Sequence, residues 1–329
     1  DAALAIQQGC VIKLAPKIEV TVLGKLTIEG TRETPVVFCP GTPGAPWGGI
    51  TLRGDSASAE ARWTFVTGSG GNPWWFVANS IAGTHRQEQA AFFLGEGAKG
   101  EFSDCFFIDN PGQAFHGESA QLTLNRCVVQ RCQTVGQFNG GSVKIHDSVL
   151  IDFPSDNDTY DDGDNDALYF TLGDHEITGT LIGWCKDDGI DAGGDSPGTV
   201  IVSDCWIESC FHEGLALSGA DKKVRILDSV IINCGQGVEV GYLSPNVALE
   251  HCFLTGNGIG ARFGDNYDGA HLGFLSMTSS VSIFNQRDVW GMSRGMWEEK
   301  ISRMNIARNH LSKPHQSFPD NWAWEPTKH

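Results

Sequence analysis

The sequence predicts an all-β chain wound as a parallel β-helix, a solenoid of 22–25-residue coils with a cap and tail at its C-terminal end. Three observations predict it: a short repeat, columns of small polar and thiol side chains inside that repeat, and a small residue, usually glycine, at a fixed corner.

The repeat emerges when seven segments are stacked: EFSDCFFIDN (101–110), TLNRCVVQRC (123–132), KIHDSVLIDF (144–153), EITGTLIGWC (176–185), IVSDCWIESC (201–210), RILDSVIINC (225–234) and ALEHCFLTGN (248–257). One column reads Cys105, Cys127, Ser148, Thr180, Cys205, Ser229 and Cys252, with spacings of 22, 21, 32, 25, 24 and 23. Five residues later a second column reads Asn110, Cys132, Phe153, Cys185, Cys210, Cys234 and Asn257. Three residues before the first column, Phe102, Leu124, Ile145, Ile177, Val202, Ile226 and Leu249 form an apolar one. Helical repeats need longer segments of 3.6 period, and the leucine-rich framework is absent. About three short strands per coil remain. Small thiols and hydroxyls suit a tight interior, so the cysteines read as buried, reduced spacers. With no CxxC pair, they do not read as metal ligands.

A third strand follows in each coil: QAFHG (113–117), DALYF (166–170), DGIDA (188–192), EGLAL (213–217), QGVEV (236–240) and IGARF (259–263). Its second residue is Ala114, Ala167, Gly189, Gly214, Gly237 or Gly260, small enough for a sharp corner. Alternation then turns Ile190, Leu215 and Val238 inward.

Residues 11–98 continue the architecture more loosely, and 67–90 reads as a Gly/Pro/Trp-rich loop. An insertion between Phe153 and Asp166 accounts for the 32-residue spacing. The coil domain spans 1–274. Residues 275–329 form a capping segment, with helical spacing at Met296, Trp297, Ile301, Met304 and Ile306 and a Trp-rich tail. One stripe breaks the pattern: Phe106, Val128, Val149, Leu181, Trp206, Val230 and Phe253 are apolar where strict alternation exposes them. Either a bend shifts the register there, or the tail or a second subunit, making a homo-oligomer, covers the stripe.

Composition narrows the function. The 329 residues carry 23 Lys and Arg against 40 Asp and Glu, a net charge of −17, which argues against a nucleic-acid phosphate binder. No apolar run is long enough for a membrane span. The charge is local: residues 152–195 hold twelve Asp and one Glu against the single cation Lys186.

That acidity converges on the third strand. The position before the small residue reads Gln113, Asp166, Asp188, Glu213 and Gln236, so three carboxylates occupy consecutive rungs about 4.8 Å apart. Asn165, Asp187 and His212 precede them. The outward position reads His116, Tyr169, Asp191, Ala216, Glu239 and Arg262. Such carboxylates repel one another unless a cation or a shared proton neutralises them. Ca²⁺ is the expected cation, held by Asp162, Asp164, Asp166 and Asp187. As acid/base groups, Asp188 and Glu213 are the expected pair, with Asp191 assisting. Tyr169, His212, Glu239 and Arg262 are expected to bind substrate. A lyase would need a cationic base, for which Arg262 and Lys186 are the nearby candidates.

KLTIEGTRETPVVF with WGGITLRG, and DDGIDAGGDSPGTVIVSDCWIESCFHEGLALSG, resemble coils of the secreted bacterial right-handed parallel β-helix proteins of the pectate-lyase-like superfamily, over roughly 11–270. The resemblance and the crossover rule imply right-handedness. The resemblance also implies a secreted or cell-surface location, although the chain opens at Asp1 without a leader. The expected function is a carbohydrate-active protein cleaving a polysaccharide, as glycoside hydrolase or lyase, in an acidic groove. The alternative is a calcium-stabilised, non-catalytic glycan-binding or surface module.

Overall fold

The computed structural model describes residues 2–79, 81, 85–153, 164–194, 196–265 and 270–291, and strands at 304–307 and 310–311. The chain divides into two compact units, 1–156 and 157–329.

Each unit is built of coils of about 25 residues. In the first unit, Lys99–Ser103, Phe106–Asn110 and Phe115–Asn125 follow one another around a coil. Lys99–Ser103 and Phe106–Asn110 lie in different sheets and pair in parallel with the strands of the next coil. The second unit repeats this with Gly198–Ser203, Trp206–Glu208 and Glu213–Gly219. Parallel stacking in register explains the columns, because each coil presents the same position to the same environment.

Three such columns line the interior of the second unit. Ile190, Leu215 and Val238 are aligned and fully buried. So are Ile182, Ile207, Ile231 and Leu254, and likewise Ile177, Val202, Ile226, Leu249 and Met277. Hydroxyls and thiols alternate at the bend: Ser229 Oγ accepts from Cys205 N at 3.1 Å and Ser280 Oγ from Cys252 N at 3.0 Å. Asn257 donates to Asn285 Oδ1 through its backbone and side-chain nitrogens at 2.9 and 3.0 Å. All ten cysteines are free thiols, eight of them buried.

The corner glycines Gly189, Gly214, Gly237 and Gly260 do not adopt a left-handed φ. The left-handed bends fall largely to polar residues: Asp204 has φ 53°, Asp228 φ 49° and His251 φ 56°. Such single residues tolerate this region better than bulky ones. Gly214 instead answers a close approach of backbones. A Cβ there would stand 2.7 Å from Gly237 O and 3.0 Å from Ile231 Cγ2.

The coil runs on past 274 through Phe274–Thr278, Val281–Ile283 and Arg287–Gly291. Met304–Ala307 pairs with Phe274–Thr278, and His310–Leu311 with Val281–Ile283. Part of the expected helix over 295–311 is therefore strand. Residues 292–303 and 312–329, with Trp297, Trp322 and Trp324, lie outside the described residues. Trp290 is buried in the wall with the Arg287 guanidinium 5.4 Å from its ring. The apolar stripe does face outward: in the second unit Leu181, Trp206, Val230 and Phe253 align, with Trp206 46% and Phe253 36% exposed.

The outward face of the larger sheet differs between the units. In the first, Trp75 packs edge-on against Phe93 and His116, and Gln137 Oε1 accepts from His85 N and Arg86 N. In the second unit, the outward row Tyr169, Asp191, Ala216, Glu239 and Arg262 carries charge.

Candidate functional site

Two features of the second unit build the site. One is the corner column Asp166, Asp188, Glu213 and Gln236. The other is the outward row Tyr169, Asp191, Ala216, Glu239 and Arg262, aligned rung by rung.

The corner carboxylates have a structural task that the sequence did not reveal. Where the chain turns into the third strand, its backbone N–H groups need acceptors. Asp166 Oδ1 accepts from Asp188 N at 3.3 Å, and Asp188 Oδ1 accepts from Glu213 N at 2.8 Å. Asp187 Oδ2 accepts from Asp164 N at 3.0 Å. Each acid thus fastens the next or preceding coil. The result is a buried carboxylate stack: Asp187 is 2%, Asp188 6% and Glu213 1% exposed.

His212 Nδ1 sits at the centre of this stack. It lies 3.2 Å from Asp187 Oδ1, 3.6 Å from Asp188 Oδ1 and 2.5 Å from Glu213 Oε2. Asp187 Oδ1 and Glu213 Oε2 are buried and make no well-formed hydrogen bond. Burial, reinforced by Glu213 and Asp187, pushes the Asp188 carboxyl well above the usual range. Burial, with Glu239 next, does the same to Glu213. For His212 burial opposes the charge, but Asp187, Asp188 and Glu239 outweigh it and raise the imidazole. Asp187, Asp188 and His212 form a group whose ligand atoms could hold a metal ion.

A second network extends along the axis. Gln236 Nε2 donates to Glu213 Oε1 and, at 3.0 Å, to Glu239 Oε2. Arg262 Nη1 donates to Gln236 Oε1 at 3.1 Å and lies 3.0 Å from Glu239 Oε2. Arg262 is itself 1% exposed. Tyr169 stands beside Asp191, and burial followed by the Asp191 charge pushes its phenol up.

Of the expected site residues, Asp187, Asp188, His212 and Glu213 come together, and Gln236 links them to Glu239 and Arg262. Asp164 and Asp166 join through backbone contacts; Asp162 lies outside the described residues. Asp188, Glu213 and Arg262 are buried, whereas Asp191, His212 and Glu239 keep partial exposure. Ser218 and Asp265 escaped the sequence reading. Ser218 lies two residues beyond Ala216 and Asp265 three beyond Arg262, beside Gly193 and Gly241. A Cβ on Gly193 would lie 3.3 Å from Asp191 Oδ1 and 3.6 Å from Ser218 Oγ; one on Gly241 would lie 2.7 Å from Asp265 Oδ2. The small, polar character of these positions was the available signal.

Comparison with known proteins bears on the fold. A family model described as "Right handed beta helix region" matches residues 155–274. No curated protein matches the sequence. The A-module of the Azotobacter vinelandii mannuronan C-5 epimerase AlgE4 is similar in structure, with 11% identity and a TM-score of 0.53, covering 97% of this chain and 90% of that one. The Dettilon tailspike protein gp208 gives 10% identity and a TM-score of 0.54 over 94% of this chain. This chain spans 62% of the tailspike's length. The chain folds as a right-handed parallel β-helix, the architecture that the family model and these two structures share with it.

Proposed function

We propose that the outward face of the second unit binds a polysaccharide and hydrolyses it, with Asp191 and Glu239 as the catalytic carboxylates. One observation carries this reading: both are partly exposed on a single outward row, above a buried acidic floor. They stand two rungs apart, about 9.6 Å along the ladder. That is close to the ~6.5–9.5 Å separation of inverting glycosidases. Asp188 and Glu213, first expected as the pair, are too buried to touch a polymer and instead hold the corner. Tyr169, Ser218 and His212 flank the row as sugar-binding groups. The epimerase module, whose name identifies mannuronan as its substrate, supports a polysaccharide ligand.

Hydrolysis is preferred to elimination because the candidate bases are engaged. Arg262 is held by Glu239 and Gln236, and the Lys186 ammonium lies 5.7 Å from the Phe211 ring centroid. A polymer substrate fits a secreted or cell-surface protein. Among the described residues, no helix is long and apolar enough to cross a membrane.

The test is reducing-end release from a polysaccharide panel, with absorbance of unsaturated products recorded in parallel. Asp191→Asn and Glu239→Gln are expected to abolish release. Unchanged release in both variants, or unsaturated products, rejects the assignment. The second reading, a calcium-stabilised binding module, draws on the Asp187–Asp188 stack. It requires glycan binding without turnover and a melting temperature that rises with calcium.

A further inference from the structure

We propose that His212, Asp187 and Asp188 bind one divalent first-row transition-metal ion, of the zinc or manganese kind, through His212 Nδ1 and one oxygen from each aspartate. This lies beneath the proposed glycan face but does not depend on any glycan chemistry there.

The argument starts from a shortage of hydrogens. An imidazole nitrogen carries at most one. Three carboxylate oxygens surround His212 Nδ1, at 2.5, 3.2 and 3.6 Å. Two of them, Asp187 Oδ1 and Glu213 Oε2, are buried without a well-formed hydrogen bond, a costly state for charged oxygens. An ion held by Nδ1, Asp187 Oδ1 and Asp188 Oδ1 gives the buried Asp187 Oδ1 the partner it lacks.

The spacing suits such an ion. Bonds of 2.0–2.2 Å in a tetrahedral site place neighbouring donors about 3.3 Å apart. Asp187 Oδ1 and Asp188 Oδ1 lie 3.2 and 3.6 Å from Nδ1, and one ligand atom from each of the three residues lies within 4.8 Å of the others. Glu213 Oε2, 2.5 Å from Nδ1, stands too close to that nitrogen to be a further donor of the same ion and borders the site.

The surroundings hold these donors in place. Asp187 Oδ2 is fixed by Asp164 N, and Glu213 Oε1 by Gln236 Nε2, which turns the remaining oxygen of each toward His212. Supporting hydrogen bonds of this kind orient ligands in metal sites generally.

The donor set also selects the metal. Calcium takes six to eight oxygens and has little use for nitrogen. An imidazole with two carboxylates suits a smaller ion that accepts nitrogen. The proposal thus assigns Asp187 to a smaller ion rather than to the expected calcium site of Asp162, Asp164, Asp166 and Asp187.

The test uses the full chain, stripped with a chelator and titrated calorimetrically with zinc, manganese, calcium or magnesium. Zinc or manganese is expected to bind at one ion per chain and raise the melting temperature, while calcium and magnesium bind at least tenfold more weakly. His212→Gln and Asp187→Asn, each checked for folding by circular dichroism, are expected to weaken binding at least tenfold. Asp191→Asn, which should abolish glycan cleavage, is expected to bind the ion as the parent does, so the two readings fail separately. Absence of one-per-chain binding by zinc and by manganese overturns the proposal. So does binding unchanged in the folded His212→Gln and Asp187→Asn proteins, or calcium binding more tightly than either.

Discussion

Arg262 Nη1 lies 3.0 Å from Glu239 Oε2, and the guanidinium is buried while the carboxylate reaches the outward face. The pair joins a wall residue to a surface one across adjacent rungs. Removing the cation leaves Glu239 and the nearby Glu213 without it, and breaking a buried pair costs about 3–5 kcal/mol. Arg262→Met is therefore expected to lose that much in denaturant unfolding. Arg262→Met with Glu239→Gln should lose less than the two single changes together, by at least ~1 kcal/mol. Simple additivity would mean that the two do not stabilise one another.

Gly214 tests the close approach of coils. A methyl group there meets Gly237 O at 2.7 Å and Cys234 Sγ at 3.4 Å. Gly214→Ala is expected to cost ~1–3 kcal/mol, as overpacked interiors do. Asp204→Gly at an exposed left-handed bend is expected to stay within ~0.5 kcal/mol of the parent. Equal effects at both sites would show that glycine serves conformation rather than clearance.

This contrast indicates how far the sequence can be read. Coils stacked in register give each position one environment, so Cys205, Ser229 and Cys252 fall into a column that spacing alone reveals. The acidic column Asp166, Asp188, Glu213 is equally periodic and was found in the same way. Its burial was not, because the backbone N–H of Glu213 that Asp188 accepts comes from the next coil. Chain spacing locates the acid but not the donor that will face it. Met304 and Ile306 illustrate a different ambiguity: their two-residue spacing fits a strand, but with Trp297 and Ile301 it also fitted a helix. Ser218 and Asp265 are less legible because they border the charged row among small residues, where no acidic period singles them out.

The thiol columns predict a chemical pattern. Burial raises Cys132, Cys205 and Cys252 to about 11 and pushes Cys234 well above the ordinary thiol range. The reactive species is the thiolate, and access is also required. Only Cys10, which is exposed, and Cys39, which is half-buried, are expected to react with iodoacetamide at pH 8 in the folded protein. All ten should react in denaturant. Mass spectrometry that finds Cys210 or Cys234 modified under native conditions would contradict a closed interior.

His175 provides a pH-dependent probe of the second unit. It is 3% exposed, stacks on Phe170 with ring centroids 4.0 Å apart, and its Nε2 donates to Leu172 O at 2.9 Å. Burial dominates and pushes its pKa down from 6.5 to about 4, against the Leu172 carbonyl and the Asp174 charge. As pH falls below 6.5 the unfolded chain takes up a proton that the folded chain refuses until about 4. The stability present above pH 6.5 is therefore lost progressively down to pH 4, by ~3 kcal/mol at 1.36 kcal/mol per unit. His175→Gln keeps a side-chain donor but cannot titrate. Carboxylates elsewhere titrate in both proteins, so the informative quantity is the difference in unfolding free energy between parent and variant. It should shift against the parent by ~3 kcal/mol between pH 7.5 and pH 4. A constant difference over that range would show that the imidazole gains its proton as easily in the fold as outside it.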